Sequence, residues 1–185
     1  MYDSTHGRTT RDRSAVLTFK RRETMPLREN TLWRISKGAV RCFTTSEDGA
    51  VITLGFWGAG DLIGQPLACI QPCAIECLTR GEALLVKTSQ CWDLDRVMLA
   101  HIGQMQELIR IRHGHIAQRL LLLLNWLASK FGVPTEQGNL IQLRLTHQDM
   151  AEAIGATRVT VTRMIQEFEH SAVISYSKQQ CLILH

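Results

Sequence analysis

Between Val16 and about Val86, apolar and polar residues alternate over short runs separated by turn residues. Leu32-Trp-Arg-Ile35, Ala39-Val-Arg-Cys-Phe43, Val51-Ile-Thr-Leu-Gly-Phe56 and Ala83-Leu-Leu-Val86 read as strands. Lys37-Gly38, Ser46-Glu-Asp-Gly49 and Gly58-Ala-Gly-Asp61 read as the turns that separate them. Short strands joined by glycine turns predict an antiparallel sandwich or roll over residues 15–92. From about Leu94 to Phe131 the period lengthens, and the spacing predicts one long helix over 93–131. Ile102, Ile109, Ile116 and Leu123 recur every seven residues, with Met98, Met105 and Leu120 beside them. Such a stripe suits the seam of a helical dimer, or a helix lying on the roll of its own chain. Gly103 and Gly114 weaken the helix, and Arg112 and His113 interrupt the stripe. The run Leu120–Leu124 is apolar all round, which suits a helix end enclosed by a second domain.

Gly132-Val-Pro134 stops the helix, and Leu140-Ile-Gln-Leu-Arg-Leu145 alternates as a strand. Two helical segments follow, then Val173–Tyr176 and Cys181–Leu184 around a polar turn, a hairpin or wing. The expected class is therefore α+β: a roll, a long dimerisation helix, and a winged helix-turn-helix over 132–185. Residues 1–14 are polar and without periodicity, as in a disordered tail.

No apolar stretch reaches the roughly 18–20 residues that span a bilayer, and the arginine-rich start has no apolar core of a secretory signal. These features predict a cytoplasmic protein with no membrane partner. The six cysteines, at 42, 69, 73, 77, 91 and 181, show no disulfide framework, so reduced thiols are expected. The net charge of +4 points only weakly to a polyanion. Residues 132–185 hold four Lys/Arg against five Asp/Glu, a net −1. If this segment reads nucleic acid, placement of charge must explain it.

The chemistry lies in Thr146 to Ser171. Thr146 with Asp149 three residues on is a capping-box start. Ala151 is small where two helices cross, Gly155 supplies a left-handed turn, and Thr157 can cap the second helix. Met150, Ile154, Val161, Met164, Ile165 and Phe168 fall inward, leaving Arg158, Val159, Thr162 and Arg163 outward. This is helix-turn-helix spacing, against a non-binding helical hairpin as the bland reading. The second helix would enter the major groove of double-stranded DNA. There Arg158 and Arg163 can each grip a guanine, and Val159 can meet a thymine methyl. Thr146, His147, Gln148, Thr157, Thr160 and Thr162 are the candidate contacts around them, the threonines to phosphates, helped by helix N-termini that attract anions without formal charge. No P-loop, Gly-x-Ser-x-Gly, zinc-protease motif or nucleophile–base pair suggests an enzyme.

At these residues the chain resembles the CRP/FNR family, and within it the nitrogen-control regulators. The match is densest from Gln118-Arg119 through Lys130-Phe-Gly-Val-Pro134 to about Ser175, above all at Ala151–Arg163. Leu32–Arg41 and Gly58–Gly64 look like the family's roll signatures. The resemblance implies a homodimer on a two-fold symmetric operator of GTA-N8-TAC type, read by Arg158, Val159 and Arg163, with RNA polymerase as a further partner. A homodimer favours the seam that the seven-residue spacing predicts, Met98, Ile102, Met105, Ile109, Ile116, Leu120 and Leu123.

In the sensor the chain departs from that pattern. Cyclic-nucleotide binders carry Gly-Glu and Arg-Ser/Thr, and the matching positions here are Gly64-Gln65 and Pro72-Cys73. A cyclic phosphate would be buried without an arginine, at a cost of several kcal/mol. The arginine that relatives use for 2-oxoglutarate falls on Ala100, with Arg80 or Arg110 as the candidate substitutes. The roll also starts late, without the usual opening helix and strand. A truncated roll with a reduced or absent pocket and no cofactor is the expectation; the alternative is a regulator responsive to 2-oxoglutarate, redox state or a metal. Cys69, Cys73 and Cys77 read as small core residues rather than a metal or redox centre, and His113 and His115 diverge on a helix.

Overall fold

A computed structural model describes residues 16–178 and 181–185, so the polar tail and the tip of the wing lie outside the described residues. Among the described residues, eight strands form the N-terminal roll: β1 (Val16–Phe19), β2 (Thr24–Met25), β3 (Thr31–Lys37), β4 (Val40–Thr45), β5 (Val51–Trp57), β6 (Leu62–Ile63), β7 (Ala74–Cys77) and β8 (Gly81–Lys87). They make two four-stranded sheets, β1-β8-β3-β6 and β2-β7-β4-β5, and every pairing is antiparallel. The four runs read from alternation are β3, β4, β5 and β8. The Lys37-Gly38 turn needs its glycine: φ is +88°, and a Cβ would stand 2.7 Å from the Thr79 hydroxyl and 2.8 Å from the Arg80 carbonyl.

Between the sheets lies a core that includes Phe19, Met25, Trp33, Ile35, Cys42, Trp57 and Ile75. Phe19 meets Trp33 edge to face at 5.3 Å, and the Trp33 indole N–H donates to the Pro26 carbonyl at 2.9 Å, so the ring is buried without an orphaned donor. Strand β4 is buried on both faces. Val40 and Cys42 enter this core, whereas Arg41 looks outward to the C-terminal half.

The expected single helix over 93–131 is two helices, α1 (Leu94–Ile111) and α2 (Ile116–Phe131). The break is at Gly114, where φ is +94°, a value an α-helix of L-residues does not hold. The chain restarts at His115, whose Nδ1 accepts the N–H of Gln118 at 3.3 Å. Seven-residue spacing concealed the break, because Ile109 and Ile116 are seven apart whether or not the helix between them is continuous. The consequence is a correction to the seam. Met98, Ile102, Met105 and Ile109 on α1 are exposed, Ile109 by 70%. Leu120 and Leu123 on α2 are 0% exposed within this one chain, and Ile116 packs beside them.

After α2 come β9 (Gly132–Thr135), β10 (Gly138–Ile141), α3 (His147–Ile154), α4 (Arg158–His170), β11 (Ile174–Tyr176) and β12 (Leu182–Leu184). The third sheet has the order β11-β12-β10-β9. Gly132-Val-Pro134 ends α2 as anticipated and then serves as an edge strand, where proline's missing N–H costs no ladder bond. The strand expected over 140–145 is shorter and earlier, and Gln142–Leu145 lead irregularly into α3. One core cluster runs through Phe56 and Leu78 of the roll, Leu108 and Ile111 of α1, the α2 leucines, and Met150, Ile154, Val161 and Ile165. Leu120, Leu123, Leu124 and Leu127 are enclosed in this core, each contributing roughly 1.5–3 kcal/mol. Leu121, by contrast, is 36% exposed, so the leucine run is not enclosed all round as its apolarity suggested.

Candidate nucleic-acid interface

Local chemistry sets the shape of residues 146–171. The Thr146 hydroxyl accepts the Asp149 N–H at 3.1 Å, and the Asp149 carboxylate accepts the Thr146 N–H at 2.8 Å, completing the capping box of α3. Gly155 closes α3 in the left-handed region at φ +66°. Thr157 then caps α4 by accepting the Thr160 N–H at 3.2 Å. Ala151, at the crossing, is buried, as are Met150, Ile154, Val161, Met164 and Ile165, and Phe168 is partly buried against them.

On the opposite side of α4, Arg158, Val159 and Arg163 are exposed, Val159 by 79%. Arg163 has only a loose carboxylate neighbour, Glu167 at 3.8 Å on its own helix. The other candidates are more engaged. The Thr162 hydroxyl donates to the Arg158 carbonyl at 2.9 Å and lies 2.8 Å from His147 Nδ1. With its one proton so used, the hydroxyl accepts from His147, which fixes the imidazole with Nδ1–H. Burial, and then the charge of Arg158, hold the His147 pKa below its usual value. Gln148 donates to Glu152 on the next turn at 2.8 Å. Thr157 and Thr160 share a hydroxyl contact at 2.9 Å.

Sequence reasoning missed a second set of residues, which holds this unit against the roll. Arg22 grips Asp149 with both terminal nitrogens, at 2.9 and 2.6 Å, and reaches Glu76 at 2.9 Å. Arg41 meets Glu76 at 2.8 Å, Glu152 at 2.6 Å and Asp149 at 3.2 Å. Burial opposes ionisation of Asp149, yet Arg22, the two Thr146 donors and Arg41 hold its carboxyl below the usual range. The same contact drives the Arg22 pKa further up.

This arrangement answers the charge problem. Two of the five acids in the net-acidic segment, Asp149 and Glu152, are turned away from α4's outer face and neutralised by arginines from the roll. A further arginine, Arg112, ends α1 and donates to Ala153 O at 2.9 Å and to Thr53 O at 2.7 Å. It thereby serves a carbonyl at the C-terminal end of α3 that has no partner within the helix. Only Arg112 was visible in sequence, as a break in a stripe; nothing local pointed to Arg22 or Arg41.

The sensor region holds a mostly apolar cavity of about 240 Å³ between roll and α1, lined by Cys42, Trp57, Ile63, Gly64, Leu67 and His101 among others, with no arginine or lysine in its wall. This pocket is apolar and without a cation, whereas a wider cavity of about 610 Å³ beside it, also between roll and α1, has Arg34 and Arg96 in its wall. Cys69 is exposed, Cys77 is buried, and Cys73 faces Cys42. Among the described residues, no group of three or more His, Cys, Asp or Glu stands together as a metal cluster. No helix among them is long and apolar enough to cross a membrane.

A roll joined through a broken helical stem to a winged helix-turn-helix is the architecture of a transcription regulator with a DNA-binding head. A Crp-like helix-turn-helix domain matches residues 114–185, which places α2 with the head and not with the stem. The regulatory protein CysR of Synechococcus elongatus is 38% identical over 173 residues, covering 91% of this chain and 82% of its own. The global nitrogen regulator of the same organism is 39% identical over 75 residues, 40% of this chain and 34% of that protein. In fold, the chain is similar to a CRP-family transcriptional regulator of Thermus thermophilus, with a TM-score of 0.73, 23% identity and 91% of each chain covered. It is also similar to FixK2 of Bradyrhizobium japonicum, with a TM-score of 0.77, 16% identity and 92% of each chain covered. The chain belongs to the CRP/FNR family of transcription regulators. The expected resemblance to nitrogen-control regulators in the DNA-binding part holds, and similarity to CysR extends over nearly the whole chain.

Proposed function

We propose that this regulator binds duplex DNA as a homodimer, on a two-fold symmetric operator of GTA-N8-TAC type. The observation that carries the reading is the outer face of the first turns of α4, where Arg158, Val159 and Arg163 stand exposed while Val161, Met164 and Ile165 are buried in the core. A recognition helix presents its base-reading side chains in this way. Thr146, His147, Gln148, Thr157, Thr160 and Thr162 flank them, as phosphate contacts and as the caps and struts that hold the face.

The second copy docks on the exposed stripe of α1, Met98, Ile102, Met105 and Ile109, joined by Leu99. Exposed apolar side chains at helical spacing favour a partner helix over water. The reading needs no cyclic nucleotide, since a phosphate in the apolar 240 Å³ cavity would lie unpaired. It places the protein in the cytoplasm, with RNA polymerase as a partner and no catalysis of its own.

Electrophoretic mobility shift on GTA-N8-TAC duplexes tests it. The expected result is a sequence-dependent complex that the Arg158→Ala, Arg163→Ala double variant does not form. A complex that survives the double substitution would overturn the assignment of α4.

A further inference from the structure

Cys42 and Cys73 lie far apart in sequence, yet their sulfurs are 3.0 Å apart. The reason is strand register. In the antiparallel β4·β7 ladder Cys42 stands opposite Ile75, and Cys73, two residues before Ile75, sits diagonally across on the same face. The Thr44 hydroxyl donates to the Pro72 carbonyl at 2.6 Å, which ties the Cys73 segment to β4. The two sulfurs are about 1 Å beyond the bond length of a disulfide, roughly 2.05 Å.

From this geometry we infer that Cys42 and Cys73 are an oxidation site, closing to an intrachain disulfide when the protein meets a peroxide. Cys73 is the attacking sulfur. It is partly exposed where Cys42 is buried, and the hydrogen bond from the Cys42 thiol favours its thiolate. The Cys73 thiolate attacks one peroxide oxygen, the O–O bond breaks, and hydroxide leaves and is protonated to water. Cys73 is now a sulfenic acid. The Cys42 sulfur attacks the Cys73 sulfur, the S–O bond breaks, and hydroxide departs with the Cys42 proton as a second water. Two thiols are oxidised and one peroxide is reduced.

The cross-link would act on the DNA-binding head because it spans the ladder that holds that head. On the face of β4 and β7 opposite Cys42, Arg41 pairs with Glu76 across the same two strands, Cα partners in register. Those side chains, with Arg22, seat Asp149 and Glu152 of α3. Drawing β4 and β7 together on the inner face shifts this platform on the outer one. The effect on DNA rests on the reading of α4 given above; the thiol chemistry does not.

The test uses the full-length chain, reduced and then treated with equimolar hydrogen peroxide, alkylated and mapped by mass. The expected result is a single cross-linked peptide pair joining Cys42 to Cys73, reversed by dithiothreitol. It is abolished in Cys73→Ser, a partly exposed site that should tolerate the change, and retained in Cys69→Ser. Oxidation confined to Cys69, Cys91 or Cys181, or Cys73 reaching sulfinic acid with Cys42 still free, would overturn the inference. In the DNA arm, oxidised and reduced protein should differ in operator affinity by about fivefold or more, and Cys73→Ser should show no difference. Cross-linking with unchanged affinity would overturn the coupling to the platform. Reduced protein that binds no DNA would instead overturn the reading of α4, with the mass result unaffected.

Discussion

The guanidinium of Arg22, in the turn after the first strand, holds the carboxylate of Asp149, inside the first helix of the helix-turn-helix, through two nitrogens at 2.9 and 2.6 Å. Asp149 is at once a helix-capping residue and the seat of the interdomain ion cluster. One side chain therefore links the geometry of α3 to the position of the whole head on the roll.

Removing it should show in both. Asp149→Ala leaves the buried Arg41 short of a carboxylate and strips the capping box. Breaking a buried pair from one side costs roughly 3–5 kcal/mol when the other charge is left alone. Here Arg22 keeps Glu76, and Arg41 keeps Glu76 and Glu152, so the loss should fall below that range, with the lost cap adding about 1 kcal/mol. Thermal unfolding should register a fall of several degrees. A melting temperature within a degree of wild type would mean that the cluster contributes no stability.

Arg158 and Thr157 are neighbours with different expected roles. Arg158→Ala should cost roughly 1–3 kcal/mol of discrimination at one operator position, about 5- to 150-fold, with little change in melting temperature. Thr157→Ala should lower stability by about 1 kcal/mol through the lost cap and weaken all sequences alike. Competition binding against operators permuted at single bases separates the two patterns.

The corrected seam predicts a division between α1 and α2. Ile109→Asp, on the exposed stripe, should shift the protein to monomer in sedimentation while leaving each chain folded. Leu123→Ala, in the continuous core, should cost roughly 2–5 kcal/mol of folding stability. If Ile109→Asp leaves a dimer intact, the α1 stripe is not where the second copy docks.

Gly103 and Gly114 should respond to alanine with opposite signs. At Gly114, with φ at +94°, a Cβ forces about 1–2 kcal/mol of backbone strain. At Gly103, in helical backbone with open space around it, alanine should stabilise by roughly 0.5–1 kcal/mol. Denaturant midpoints for the two variants check this directly.

His101 gives the pH dependence. Its ring lies 4.9 Å from that of Trp57, with Nε2 2.7 Å from Leu62 O, and burial lowers its pKa. An unfolded histidine titrates near 6.5, so below that pH the unfolded chain takes up a proton that the folded ring resists. The contribution is complete above about pH 6.5 and declines as pH falls, by up to ~1.4 kcal/mol per unit, until the lower folded pKa is reached. Asp61 and Lys130 act on the ring in opposite directions. His101→Gln should flatten that part of the stability profile; an unchanged slope would assign it to another group.

What the sequence determined by itself is the reading head. Thr146, Asp149, Gly155 and Thr157 act over three or four residues, so the bonds that shape the two helices are legible from spacing. The glycine turns and alternating strands of the roll are local in the same sense. Tertiary structure alone decided the rest, because it depends on pairings that no spacing encodes. Heptad spacing is the same for a continuous helix and for one broken at Gly114, so only packing could show that Leu120 and Leu123 face the head's own core. Two of the five acids that made residues 132–185 look unfit for DNA, Asp149 and Glu152, are cancelled by Arg22 and Arg41, more than a hundred residues away. Cys42 meets Cys73 because antiparallel register, and not sequence distance, sets which side chains share a face.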